Sequence, residues 1–389
     1  MIRVAFLTSR FPYPLNKGDK LRAFNQIKTL GKDSNFEVHL ISISETPPST
    51  NDINELKKYC KSINNFFLPK YKRKLNLVKT IFTKTPFSVD YFYSSKINLR
   101  INSLIKELNI NFIHCHLIRT SKYISKQNKI PKSIDFMDCF SSGAEKELGY
   151  SKSWVKRQFL KSERKRLINF ESKEYDKFQI RYIISNPDKD AFPISNNNID
   201  ILANGVDFSI FQPNKTKKQY DLLFSGHMGY IPNISAAEYT IKSIMPLLNE
   251  EVNLLVGGIG ISKELKKEAK DNIVLKEIFP HIREAFWQSK ILIAPMNISI
   301  GLQNKILQAM AMKIPVVCSK EANGSVGGTH NKNIVLANNP KEYKLAIDRL
   351  LSDTEFYNKI SENSYEFVNT NFSWEVVNEK MKKNILNFE

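Results

Sequence analysis

Ile2-Arg3-Val4-Ala5-Phe6-Leu7-Thr8 opens the chain as an apolar run of the length of one buried strand. A loop over 10–18 follows, with Pro12, Pro14 and Gly18, and apolar residues then recur at Leu21, Phe24, Ile27 and Leu30 before Gly31. That spacing predicts a helix with a glycine stop. Residues 36–43 return to a strand pattern, and further strands are predicted over 111–115, 133–137 and 182–185. Strands alternating with helices give an α/β fold, a parallel sheet with helices on its faces.

The second half alternates more cleanly. Short apolar runs at 220–225, 253–257, 273–276, 290–294, 315–318 and 333–337 are separated by helical stretches such as 234–248 and 303–313. This predicts a second doubly wound unit. Between the halves, 207–219 is polar and basic, with Pro213 and Lys215-Thr216-Lys217-Lys218, and is the best linker candidate. The expected organisation is a Rossmann-like domain over 1–206, a linker over 207–219, a second such domain over 220–370 and a C-terminal helix over 371–389. Two such domains facing a cleft would bind a nucleotide-type ligand at the C-terminal ends of their strands.

With 42% apolar residues in 389, each domain has enough for a core. No run is long and apolar enough to span a bilayer. The four cysteines, at 60, 115, 139 and 318, form no CxxC pair and read as reduced thiols, so a cytoplasmic location is expected. Charge adds more. Lys and Arg number 58 against 39 acidic residues, a net +19, and the excess is uneven. Lys57–Lys106 holds twelve basic residues against Asp90 alone, interleaved with Phe66, Phe67, Tyr71, Phe82, Phe87, Tyr91, Phe92 and Tyr93. Lys152–Lys177 holds nine basic against four acidic residues, with Trp154 and Phe159. Basic groups beside aromatics suit an anionic membrane, with Lys70, Lys72, Arg73 and Lys74 as the candidate contact. The rival is a plain solvated surface. Neither zinc-ligand spacing nor an RNA-binding aromatic motif nor a helix-turn-helix occurs, so no nucleic-acid partner is expected.

Four segments in register resemble the GT-B glycosyltransferases, specifically the retaining family 4 group and its bacterial exopolysaccharide branch. They are Leu7–Arg22; Asn204-Gly205-Val206-Asp207 with Phe211 and Pro213; Phe224–Asn233; and Gly301-Leu302-Gln303-Asn304-Lys305 running to Ala309-Met310-Ala311-Met312 and Pro315-Val316-Val317. The resemblance implies sugar transfer from a UDP- or GDP-type nucleotide sugar to a glycan or lipid-linked saccharide of a surface polysaccharide. It implies no cofactor or metal, and a C-terminal helix crossing back to the first domain. Together with the basic surface, it implies a place on the inner face of the cytoplasmic membrane. Alternatives are a nucleotide-sugar epimerase of the same fold and an inactive glycan-binding relative.

On a helical wheel, Ile306, Leu307 and Met310 lie opposite Asn304, Lys305 and Gln308. Gly301 precedes that helix, whose start favours a phosphate, and Lys305 would neutralise a leaving diphosphate. The other reading is a solvated face. Gly226 belongs to the implied donor loop. The family usually carries two glutamates eight positions apart; here those positions are Ile300 and Gln308. Lys17, Gly18 and Asp19, at a helix start, form an acceptor or phosphate loop or else a simple turn. His116, in Ile113-His114-Cys115-His116, is implied to contact the reacting sugar. The His-x-His pair has no evident third metal ligand. Asp138 would orient the acceptor hydroxyl or take its proton, or else act as an N-cap or Asx-turn, and Asp135 points the other way.

Overall fold

The computed structural model of the chain describes residues 1–124, 127, 129–296 and 301–388. They form two compact units, Met1–Ala203 with Val377–Glu389, and Asn204–Val376. The 207–219 stretch therefore lies inside the second unit, where Trp287 Nε1 donates to the Gln212 carbonyl at 2.9 Å.

In the first unit, β1 (Ile2–Thr8), β2 (Phe36–Ser44), β3 (Ser62–Phe67), β4 (Phe112–His116), β5 (Lys132–Asp135), β6 (Ile180–Ile183) and β7 (Asp200–Ile201) make one sheet. Their order is 3-2-1-4-5-6-7, and each pairing is parallel. Val4 and Phe6 join one buried cluster, Ala5 and Leu7 another. Alternate residues face opposite sides, so an apolar strand needs cover on both. The helix Trp374–Leu386 supplies part of it, adding Val377, Met381 and Ile385 to the cluster of Phe6. Those three recur every fourth residue, one helical face. The strand order turns at β1 and β4, where sheets of this kind open a ligand crevice at their C-terminal ends. The sequence pattern misses β3, a half-buried edge strand whose Asn64 and Asn65 hide its alternation.

The second unit orders β8 (Tyr220–Ser225), β9 (Leu254–Gly257), β10 (Ile273–Lys276), β11 (Ser289–Ala294), β12 (Val316–Cys318) and β13 (Val335–Leu336) as 10-9-8-11-12-13, again parallel. The helix expected over 234–248 runs only Ile231–Tyr239, then loosens into a wide turn and a tight one at Met245–Leu247. Pro246 has no N–H to continue it. Among the described residues no helix is long and apolar enough to cross a membrane.

Asn204-Gly205-Val206-Asp207 has a packing role. Val206 N donates to the Phe372 carbonyl at 2.7 Å, and a Cβ on Gly205 would lie 2.6 Å from the Trp374 ring. Gly205→Ala is expected to cost about 1–3 kcal/mol in chemical unfolding, the range for overpacking a tight contact. Gly143, in the helix Phe140–Tyr150, has nothing within 4 Å of its would-be Cβ. Gly143→Ala is expected to stabilise by roughly 0.5–1 kcal/mol in the same measurement.

Candidate functional site

In the second unit, the chain leaves β8 at Gly226 and β9 at Gly257, and the two loops lock together. Gly226 N donates to Gly257 O at 3.0 Å, and Met228 N to Ile259 O at 2.8 Å. Gly258 has φ +147°, and a Cβ there would sit 1.8 Å from Gly226 O, so only glycine fits. A Cβ on Gly226 would in turn meet the Asn233 amide at 2.8 Å. That close approach places Asn233, whose Nδ2 donates to His227 O at 3.0 Å and whose Oδ1 accepts from Lys305 Nζ at 2.8 Å.

Lys305 is the second residue of the helix Asn304–Ala311, in its first turn, after Gly301 at φ +63°. Ile306, Leu307, Ala309, Met310 and Ala311 are buried, whereas Asn304, Lys305 and Gln308 are half-buried on the other side. The Lys305 ammonium stands 4.7 Å from the Phe224 ring centroid and 3.7 Å from Met296 Sδ. Among the described residues it has no carboxylate partner, and burial pushes it down to about 7. Asn304 Oδ1 accepts from Asn204 Nδ2 at 3.1 Å. Position 300 lies outside the described residues.

In the first unit, the end of β4 meets the first helix, Gly18–Gly31. His116 is 2% exposed, and its Nε2 donates to the Asp19 carbonyl at 3.0 Å. The ring thus holds the Lys17–Asp19 loop from beneath. Its Nδ1 is 3.7 Å from Asp135 Oδ2. Asp135, fully buried, accepts from Arg22 at 2.6 and 3.0 Å, from Gln26 at 2.6 Å and from Met137 N at 3.0 Å. Burial opposes its charge, but Arg22 and His116 overcome that and hold the carboxyl below its usual range. Arg22 also donates to Leu202 O and Ala203 O, at 2.6 and 2.9 Å. His114 is a core residue: Ser133 Oγ lies 2.8 Å from its Nδ1, and burial pushes the ring down to about 3.

The His-x-His pair does gain a third possible metal ligand, Asp135, with candidate ligand atoms of all three within 4.8 Å. Both carboxylate oxygens are taken up by Arg22 and Gln26, however, so a cation there would face a guanidinium. The cluster fits a buried ion pair better than a metal centre.

Asp138 is half-buried and does not cap the helix Phe140–Tyr150; buried Glu171 does, accepting from Phe140 N at 2.8 Å and Ser141 N at 3.2 Å. Burial, with the neighbouring Asp188, pushes the Asp138 carboxyl up to about 7. A Cβ on Gly18 would touch only Met137 Cε at 3.6 Å, so the described fold does not itself demand glycine. Asp19 pairs with Arg10, which with His116 and Arg119 keeps its carboxyl low against the pull of burial.

Residues 219–353, most of the second unit, match the family described as Glycosyl transferases group 1. Over the whole chain the fold is similar to sucrose-phosphate synthase from Thermosynechococcus elongatus (TM-score 0.72, 12% identity, 100% of this chain and 99% of that one). It is also similar to Anabaena HepE in complex with UDP (TM-score 0.70, 12% identity, 100% of both). An "uncharacterized 44.6 kDa protein in cps region" of Klebsiella pneumoniae is 21% identical over 96% of this chain and 97% of its own length. The chain has the GT-B fold, and its residues 219–353 match the group 1 glycosyltransferases.

Within the matched stretch, the structure brings Gly226 and Lys305 together through Asn233, with Asn304 and Gln308 on the same helix face as Lys305. In the first unit it brings together Lys17, Gly18, Asp19 and His116. Sequence reasoning missed two features there. One is a pocket of about 270 Å³ whose lining includes Arg10, Lys17, Lys20, Glu45 and Asp52. Burial, with Lys17 and Arg10 adding to it, lowers the Lys20 ammonium. The other is a set of three guanidiniums around Phe92, from Arg10, Arg73 and Arg119, at 5.7, 4.6 and 4.8 Å. Their residues are scattered over a loop and two helices, which no linear motif marks. The expected membrane contact needs one correction: Arg73 is 1% exposed, with Nε donating to Leu68 O at 2.8 Å, while Lys70, Lys72 and Lys74 are exposed.

Breaking the Arg22–Asp135 pair strands a buried charge. Arg22→Met is expected to cost about 3–5 kcal/mol in chemical unfolding. Adding Asp135→Asn should recover part of that loss, because the orphaned charge is gone. A single variant as stable as wild type would count against the pair as the tie.

Proposed function

We propose that the protein moves a sugar from a nucleotide diphosphate sugar to a glycan or lipid-linked saccharide in surface polysaccharide assembly. The observation that carries this reading is Lys305, a half-buried ammonium without a carboxylate partner among the described residues, on a helix start inside the matched glycosyltransferase domain. A cation in that state is stabilised by an anion, and a diphosphate offers one. HepE in complex with UDP and the cps-region relative support nucleotide-sugar chemistry and a capsule-type product.

In the proposed reaction, the bond from the sugar's C1 to the β-phosphate oxygen breaks and its electron pair leaves on the diphosphate. Lys305 and the helix start hold that charge. An acceptor hydroxyl bonds to C1 and gives up its proton, for which Asp138, pushed up to about 7, is suited near neutral pH. His116 acts by fixing the Lys17–Asp19 loop. Gln308 would bond the donor as a neutral group. Lysine supplies the cationic charge in this scheme, so turnover should persist in EDTA.

Lys305→Ala should weaken UDP or GDP binding by about 1.5–3 kcal/mol in calorimetry, as for a lost hydrogen bond to a charged group. Lys305→Arg should restore only part, since a planar fork does not reproduce a compact ammonium. Asp138→Asn should lower turnover about 10²-fold or more while nucleotide affinity barely changes. Sugar release or epimer formation without any acceptor would support the epimerase instead. Nucleotide binding equal in Lys305→Ala and wild type would refute the donor assignment.

A further inference from the structure

The helix Lys70–Thr80 is inside out. Its buried face is polar: Arg73 sits under Phe92, Asn76 Nδ2 donates to Tyr93 O at 2.7 Å, and Thr80 Oγ1 donates to Asp90 Oδ2 at 3.1 Å. Its outward face is apolar. Tyr71, Leu75, Val78 and Phe82 recur at i, i+4, i+7 and i+11, a stripe about 60° wide at 100° per residue. These four are 57–87% exposed. Lys70 and Lys74 flank the stripe on one side, Lys72 and Lys79 on the other, and all four are exposed.

The stripe is firmly mounted. Arg166, from the helix Trp154–Tyr175, donates to the carbonyls of Thr80, Thr83 and Thr85 at 3.0, 2.6 and 3.0 Å. Glu163 accepts from Phe87 N and Ser88 N at 2.7 and 2.9 Å, and Phe159 meets the Phe87 ring at 5.1 Å. That second helix begins with Trp154 and Val155, 71% and 70% exposed, next to Lys152 and Lys156.

We propose that this face, the outward stripe of Lys70–Thr80 through Phe82, is a docking surface for an anionic lipid bilayer. Apolar side chains would enter the headgroup boundary while the flanking lysines meet lipid phosphates. Charge selects this occupant. In a pair of identical chains, two stripes would bring two sets of lysines together, and the repulsion opposes contact, whereas an anionic surface complements them. A nucleic acid would match the lysines but leave the aliphatic side chains in water.

The test is sedimentation of the full chain with vesicles of phosphatidylglycerol and phosphatidylcholine, against phosphatidylcholine alone. Wild type should bind the anionic vesicles far more tightly than the neutral ones. Lys72→Gln/Lys74→Gln/Lys79→Gln should lower that binding roughly a hundredfold, about fivefold per lysine. Leu75→Glu/Phe82→Glu should lower it as well, with unchanged unfolding temperature because both side chains are exposed. Leu345→Glu, an exposed apolar residue of the second unit, should change nothing. Failure of wild type to bind anionic vesicles, or equal binding by the stripe variants, would overturn the proposal. So would a dimer, or a complex with duplex DNA, that these variants abolish while vesicle binding is absent. None of these readouts depends on sugar transfer.

Discussion

A half-buried ammonium that no described carboxylate neutralises is the constraint around which the second unit's loops are arranged. Lys305 is held by one amide oxygen, a thioether and an aromatic face. The amide is in place because Gly226 lets Asn233 approach, and Gly226 is in place because Gly258 yields space to its carbonyl. Desolvating a cation costs free energy, and these weak partners offset only part of it. The lowered ammonium is the sign of what remains.

The first unit shows the opposite solution. Arg22 is as deeply buried as any residue, yet it meets both Asp135 oxygens and two backbone carbonyls. Those bonds tie the first helix to the end of β5 and to the chain just after β7, and they bring a carboxylate near His116. A fully partnered buried cation organises a fold. An under-partnered one leaves its charge for the proposed diphosphate, and that contrast separates Arg22 from Lys305 more clearly than burial or charge does.

Much of this was legible in the sequence, for definite reasons. Ile2–Thr8 reads as a strand because it is buried on both faces, and the wheel around Lys305 reads correctly because its apolar side is continuous. The edge strand Ser62–Phe67 escaped because half-burial erases alternation. The Lys70–Thr80 segment reads in sequence only as charge with aromatics, because a polar buried face and an apolar outer one give the same composition as their reverse. Its inversion becomes visible only once Arg73 is found inside. Asp135 reads in sequence as pointing away from the chemistry, but its partner Arg22 comes from 113 residues earlier, a distance that no local pattern spans.

If Lys305 receives the diphosphate as proposed, nucleotide binding must take up protons. With the free ammonium near 7, most molecules are neutral at pH 8, and a bound diphosphate should raise the value and draw in a proton. Calorimetric titration with UDP and GDP in buffers of different ionisation enthalpy measures that uptake. For the nucleotide that binds, uptake should approach about one proton at pH 8, fall toward zero by pH 6 and be absent in Lys305→Ala. Binding without uptake at pH 8, or uptake that survives Lys305→Ala, would contradict it.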